Sequence, residues 1–194
     1  YEYKLKVNAI DKNGTIKGHQ LNISVSDKSY FITNNATPTI TGAAEANSTI
    51  TLLNGDVEIG TATANSEGDF SITPSTTLAD GNYSLEAKAT DAVGNISTEF
   101  SSISITIDTT APDAPASLAT TSSNTNDTTP TITGTAEANS TITLLNGDVE
   151  IGTATADSEG DFSVTPSSSL ADGVYSLEAK ATDEAGNIST ESAS

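Results

Sequence analysis

The hexapeptide Thr37-Pro38-Thr39-Ile40-Thr41-Gly42 returns 92 residues later as Thr129-Pro130-Thr131-Ile132-Thr133-Gly134, and the two copies stay nearly identical for about 60 residues. Each copy is long enough to be one small domain. Near-identical tandem domains more often supply length or valency than separate chemistries. The sequence therefore constrains architecture more tightly than it constrains any ligand.

Helix signals are almost absent. Short period-two runs of Thr, Ile, Val, Leu and Tyr alternate with Gly, Asn and Asp, the pattern of half-buried strands joined by tight turns. Asn54-Gly55-Asp56 and Asn146-Gly147-Asp148 read as hairpin tips. Ser66-Glu67-Gly68-Asp69 and Ser158-Glu159-Gly160-Asp161 read as the turns that follow. The pattern predicts seven strands in the first complete copy, near residues 29–33, 38–42, 48–53, 57–64, 70–74, 82–90 and 102–108. On the fourth, Val57, Ile59 and Thr61 are expected on one face against Glu58 and Gly60. On the sixth, Tyr83, Leu85, Ala87 and Ala89 are expected inward, with Ser84, Glu86 and Lys88 outward. One packed face and one wet face per strand predict an all-β, antiparallel two-sheet sandwich. Tyr83 and Tyr175 stand where a tyrosine corner would sit, and Phe70 and Phe162 are core candidates.

The ends carry a further expectation. Leu21-Asn22-Ile23-Ser24-Val25-Ser26-Asp27 resembles the close of the first copy, Ile103-Ser104-Ile105-Thr106-Ile107-Asp108. Residues 1–27 are thus expected to be the last two strands of a preceding domain, followed by repeat 1 at 28–108 and repeat 2 at 109–194. On this reading repeat 2 lacks its final strand, and an open edge makes it fragile. No charged-then-apolar leader opens the chain, and Tyr1 fits a piece of something longer. The second linker, Asp108 to Pro115, is stiffened by Pro112 and Pro115.

With 26 acidic and 7 basic residues the chain carries a net charge of -19, which speaks against nucleic acid and anionic membrane surfaces as partners. No run approaches the roughly 18 apolar residues of a membrane span. The absence of Cys removes disulfides, thiol catalysis and thiolate metal sites. The single histidine, His19, reads as an exposed turn residue, so no repeated Ser-His-Asp set exists. Gly residues punctuate hairpins and form no phosphate-cradling loop. No catalytic residue and no organic cofactor are expected, and the chain is expected not to be an enzyme.

Cations are the remaining chemistry. The last strand of a domain leaves at the far end, so the loop feeding it lies at the near end, beside the preceding domain. That logic directs Asp183 toward Asp108, with Glu137 and Asp161 on neighbouring loops and Asp113 in the connecting segment. It likewise gathers Asp27, Glu45, Asp69 and Asp91 at the first junction. Carboxylates grouped with backbone carbonyls suit Ca²⁺, which takes six to eight oxygen ligands. The alternative, that these acids only shape turns, stays open.

Thr129 to Thr141, Ile151 to Asp157, Leu170 to Gly173 and Ala181 to Asn187 together resemble the bacterial immunoglobulin-like repeats of giant surface adhesins and biofilm-associated proteins. Ile107-Asp108-Thr109-Thr110-Ala111-Pro112 is similar to the linker of that family. The resemblance covers roughly residues 28–194 and implies tandem Ig-like sandwiches arranged as a rod, exported to the bacterial surface. It further implies interdomain calcium, neighbouring repeats as the main partners, and a distal domain that holds the adhesive target in cell adhesion or biofilm formation. At the first junction Asp27-Lys28-Ser29-Tyr30 departs from the linker pattern, so that junction is expected to respond less to calcium. Two other classes compete with a spacer. A carbohydrate- or protein-binding module would cluster aromatics on loops, whereas Tyr and Phe here fall mostly on strands. Accessory domains of a secreted enzyme would be marked by a flanking catalytic domain.

Overall fold

The computed structural model describes residues 22–23, 31–97, 101–120 and 124–192. The expectations placed on Asp27, His19 and most of residues 1–27 lie outside them. The chain divides between Asp108 and Thr109 into two compact units, each treated by itself.

In the first unit one sheet is ordered β1 (Asn22–Ile23), β3 (Ile40–Ala43), β6 (Asp69–Ile72). The other is ordered β2 (Phe31–Thr33), β8 (Ser101–Ile107), β7 (Gly81–Thr90), β4 (Thr49–Asn54), β5 (Val57–Thr63). All seven expected strands are present within a few residues of their expected bounds. Two features differ. Asn22-Ile23 pairs antiparallel with β3, so these two residues join repeat 1 instead of a preceding domain. The β2–β8 pair is parallel, because the chain crosses from one sheet to the other between β1 and β2.

Alternation builds the core. Ile50 and Leu52 on β4, Phe70 and Ile72 on β6, Leu85, Ala87 and Ala89 on β7, and Ile105 and Ile107 on β8 are all buried. Each fully buried Ile or Leu contributes about 2 kcal/mol. The inward face expected for β7 is the one observed, whereas the face expected for β5 is not. Leu52 pairs with Gly60 but Leu53 pairs with Glu58, leaving Ile59 as an extra residue. This bulge breaks the period-two rule: Ile59 is buried, while Val57 and Thr61 are exposed. The Ile59 carbonyl instead accepts the Ser75 backbone N–H at 2.7 Å.

Turn chemistry closes the sandwich. Gly55, at φ +58, makes the first turn position of the β4–β5 hairpin. The Tyr83 hydroxyl donates to the Ala79 carbonyl at 2.9 Å, and Tyr175 to Ala171 at 3.0 Å, so both are tyrosine corners.

The second unit repeats this plan. Its sheets are β9 (Ala116–Thr120), β10 (Ile132–Thr135), β13 (Asp161–Val164), and β14 (Leu177–Thr182), β11 (Thr141–Asn146), β12 (Val149–Thr155). The bulge recurs at Ile151. The difference lies at β14. Its counterpart β7 begins at Gly81, but residues 173–176 are not in a strand. Among the described residues nothing pairs with that stretch in the way β8 pairs with β7. Leu177 is half-buried where Leu85 is wholly buried.

Gly160 has φ +90, and a Cβ there would stand 2.5 Å from the Ala136 carbonyl oxygen. Its own carbonyl accepts the Ala136 N–H at 2.9 Å, so the loops cannot separate cheaply. Gly160→Ala should cost the second unit about 3 kcal/mol, read from urea unfolding by circular dichroism. A loss below about 0.5 kcal/mol would refute this account of the turn.

Candidate functional site

Strand register decides which acids share an end. In the second unit Thr141 pairs with both Thr155 and Thr182, while Thr135 pairs with Asp161 and with Ala116. The loops bearing Glu137, Asp157, Asp161 and Asp183 therefore emerge at one end, with Asp113 just before β9. Asp113 and Glu137 line one shallow cleft with Ala114, Ala116, Thr135 and Ala136. In the first unit Thr49 pairs with Thr63 and Thr90, and Ala43 with Asp69, which sets Glu45, Asp69 and Asp91 at the equivalent end. Asp108 follows Ile107, which pairs with Gly81 at the opposite end of β7. Its N–H donates to the Thr33 carbonyl at 3.0 Å.

Sharing an end does not bring the side chains together. Among the described residues no three His, Cys, Asp or Glu side chains are grouped to hold a metal ion. Several of the candidates have local work instead. Asp183 Oδ1 accepts the Asn187 N–H at 2.8 Å and its Oδ2 accepts Asn187 Nδ2 at 2.8 Å. Asp91 does the same with Asn95, at 2.8 and 2.6 Å, and Oδ1 also accepts the Val93 N–H at 3.0 Å. Gly94 and Gly186, at φ +91 and +93, let these five-residue loops close. Asp157 Oδ1 accepts the N–H groups of Glu159 and Asp161, each at 2.9 Å. Its counterpart Asn65 makes the same two bonds through its amide oxygen, so that turn does not depend on a charge.

The Asn95 side-chain amide, then its backbone N–H, holds the Asp91 carboxyl below the usual carboxylate range. A depressed carboxylate stabilises the folded state above its unfolded pKa, and this stabilisation fades as pH falls through the folded pKa. Asp91→Ala should thus lower the melting temperature of the first unit at neutral pH, and the difference from wild type should shrink below about pH 4. A difference independent of pH would show that the carboxylate's charge is not involved.

Sequence reasoning missed three recurring polar positions. Ser48 and Ser140, each 1 % exposed, donate their hydroxyls to the Glu45 and Glu137 carbonyls at 2.7 Å. They follow Asn47 and Asn139, whose φ of +64 turns the chain, so Ala-Glu-Ala-Asn-Ser is a turn motif. Ser97 and Ser189 extend the edge of β7 and β14. Their N–H groups donate to Ala89 and Ala181, whose own N–H groups donate back to the serine hydroxyls. The triplet Asn95-Ile96-Ser97, unremarkable as sequence, is a loop lock. The Asn four residues after the Asp was the available signal.

Two sandwiches of this topology, each with a tyrosine corner, define tandem Ig-like domains. The bacterial Ig-like domain family matches residues 12–109 and again residues 114–194, and the chain belongs to that family. No curated protein matches it. Among solved structures it is similar to a biofilm-associated protein BSP domain, at 23% identity over 84% of this chain and 27% of that one, with a TM-score of 0.34. It is also similar to a tetra-tandem repeat in the extending region of a large adhesion protein, at 26% identity over 96% and 54%, with a TM-score of 0.34. A third is the apo form of β-glucuronidase 3 from Bacteroides uniformis, at 13% identity over 90% and 24%, with a TM-score of 0.35. The chain spans about half or less of the length of each. No helix of the described residues is long and apolar enough to cross a membrane.

Proposed function

We propose that these repeats are spacers in a large protein on the outer surface of a bacterium, supporting adhesion or biofilm formation, with calcium stiffening the second junction and no catalysis of their own. The observation that carries this reading is the same sandwich built twice from nearly one sequence, with the acidic turns recurring at the same end. A duplicated scaffold with no assembled set of reacting groups among the described residues fits reach better than turnover. Calcium is the ion whose chemistry suits Asp183, Asp113, Glu137 and Asp161, all oxygen donors. Asp183 keeps lone pairs beyond the two used by Asn187. Among the described residues no three acids group by themselves, so the proposed ion would also use Asp108 and backbone carbonyls. The adhesive target then belongs to another part of the full protein.

The test is small-angle scattering and thermal unfolding at constant ionic strength, with calcium or with chelator. Calcium should lengthen the maximum dimension and stabilise the junction by about 2.7 kcal/mol when its free concentration is about a hundredfold above Kd. Asp183→Ala should abolish both responses. Unchanged dimensions and melting temperature would reduce the acids to turn formers. Hydrolysis of a glycan or peptide by the purified repeats would overturn the spacer reading itself.

A further inference from the structure

A sheet edge offers outer N–H and C=O groups that no ladder uses, and such an edge is a template for another chain. In the first unit β5 is an edge of its sheet, and in the second β12 is its counterpart. Both read Val-Glu-Ile-Gly-Thr-Ala-Thr, at 57–63 and 149–155. Four of these seven residues are β-branched, which makes the segment a strong strand former. Identical strands laid antiparallel are self-complementary, so every copy of this heptapeptide is a partner for every other.

Both units interrupt this edge at the same point. The bulge takes Ile59 and Ile151 out of the pairing order. The Ile59 carbonyl accepts the Ser75 N–H at 2.7 Å and the Ser75 hydroxyl at 3.1 Å, and the Ile151 carbonyl accepts the Ser167 N–H at 2.6 Å. The donor segments can lie against the edge because a glycine follows the bulge. A Cβ on Gly60 would stand 3.2 Å from the Thr73 carbonyl oxygen, and one on Gly152 would stand 2.5 Å from that of Thr165. Pro74 and Pro166, within those segments, are buried and carry no N–H. Burial of the bulged side chain does not account for this clasp: Ile59 is buried and Ile151 only half-buried, yet the carbonyl bond is kept in both. Past the bulge only Gly60–Thr63 remains as regular strand, and Glu58 places a charge on its other side.

We infer that the clasps Ile59–Ser75 and Ile151–Ser167 guard these edges, keeping one copy of the chain from pairing with another through its Val-Glu-Ile-Gly-Thr-Ala-Thr strands. A bulge, a short regular run and an edge charge each blunt a strand against such pairing. The need is greatest where near-identical domains are many and close, because misassembly between like repeats is their characteristic failure.

Two variants of the 194-residue protein open the first clasp by different routes. Ser75→Pro removes both donors to the Ile59 carbonyl, and Gly60→Thr forces Thr73 off the edge. Each should self-associate roughly tenfold or more tightly than wild type in sedimentation equilibrium. Amide exchange at Gly60–Thr63 should slow by roughly tenfold on association. Adding Thr61→Glu, which sets like charges on both edges, should restore wild-type behaviour. Thr51→Glu, opposite Thr61 on the inner strand β4, carries the same charge and should not. Folded variants that associate no more tightly than wild type, association without slowing at Gly60–Thr63, no rescue by Thr61→Glu, or equal rescue by Thr51→Glu would each overturn the inference. So would loss of the first unit's circular dichroism in both variants, since the clasp would then be a support of the core and not a guard of the edge.

Discussion

Extending the chain past Ser194 by a copy of Ile103–Asp108 should raise the melting temperature of the second unit by roughly 10 °C or more. To take the register of β8 on β7 the pairing at Ala179 must move by one residue, because Ala179 is bonded to Ser192, the counterpart of Phe100, whereas Ala87 pairs with Ser101. The appended counterparts of Ile105 and Ile107 would be withdrawn from water, and Leu170 and Leu177 would become as buried as Leu78 and Leu85. Two such side chains contribute about 4 kcal/mol before ordering entropy is subtracted. Differential scanning calorimetry checks this directly. The first unit serves as internal reference, because its transition should not move. An unmoved second transition would mean that the half-buried leucines are content as they are.

Phe162→Ala should unfold the second unit near room temperature and leave the first intact. Phe162 is 5 % exposed and stands opposite Gly134, where a Cβ would come within 2.6 Å of its ring. The ring thus occupies the space that the missing side chain leaves, and truncation opens a cavity that the backbone cannot fill. The cost is about 3–5 kcal/mol, most of the stability of a small domain. Circular dichroism melting should show one transition of about half the wild-type amplitude. Phe70→Ala should produce the converse, losing the first unit and keeping the second. If either variant melts both units together, the two sandwiches are not independent in stability.

Much of this fold is written in local pattern. Thr-x-Thr and Ile-x-Leu alternation gave the strands of both units, and the spacing from Leu78-Ala79-Asp80-Gly81 to Tyr83 gave the tyrosine corner. The bulge at Ile59 was not legible, because one extra residue in a strand leaves composition and turn signals unchanged while reversing every face beyond it. The parallel β2–β8 pair was not legible either, since it depends on where the chain changes sheets and not on any residue within Phe31–Thr33. For the acids, strand direction was enough to set Glu137, Asp161 and Asp183 at one end. What each carboxylate does there was hidden. Asp91-Ala92-Val93-Gly94-Asn95 reads alike as a ligand loop or as a turn, and only the Asn95 geometry reveals the bonds it makes.

The matched bonds of Asn65 and Asp157 bear on how such arrays drift. An amide oxygen and a carboxylate oxygen serve equally as acceptor for the two N–H groups of this turn, so substitution there is a change of charge at nearly constant shape. A lineage that multiplies this unit can alter its surface potential one charge per copy without touching a strand, a core side chain or a glycine. Acidity at that turn can therefore change while the sandwich beneath it stays the same.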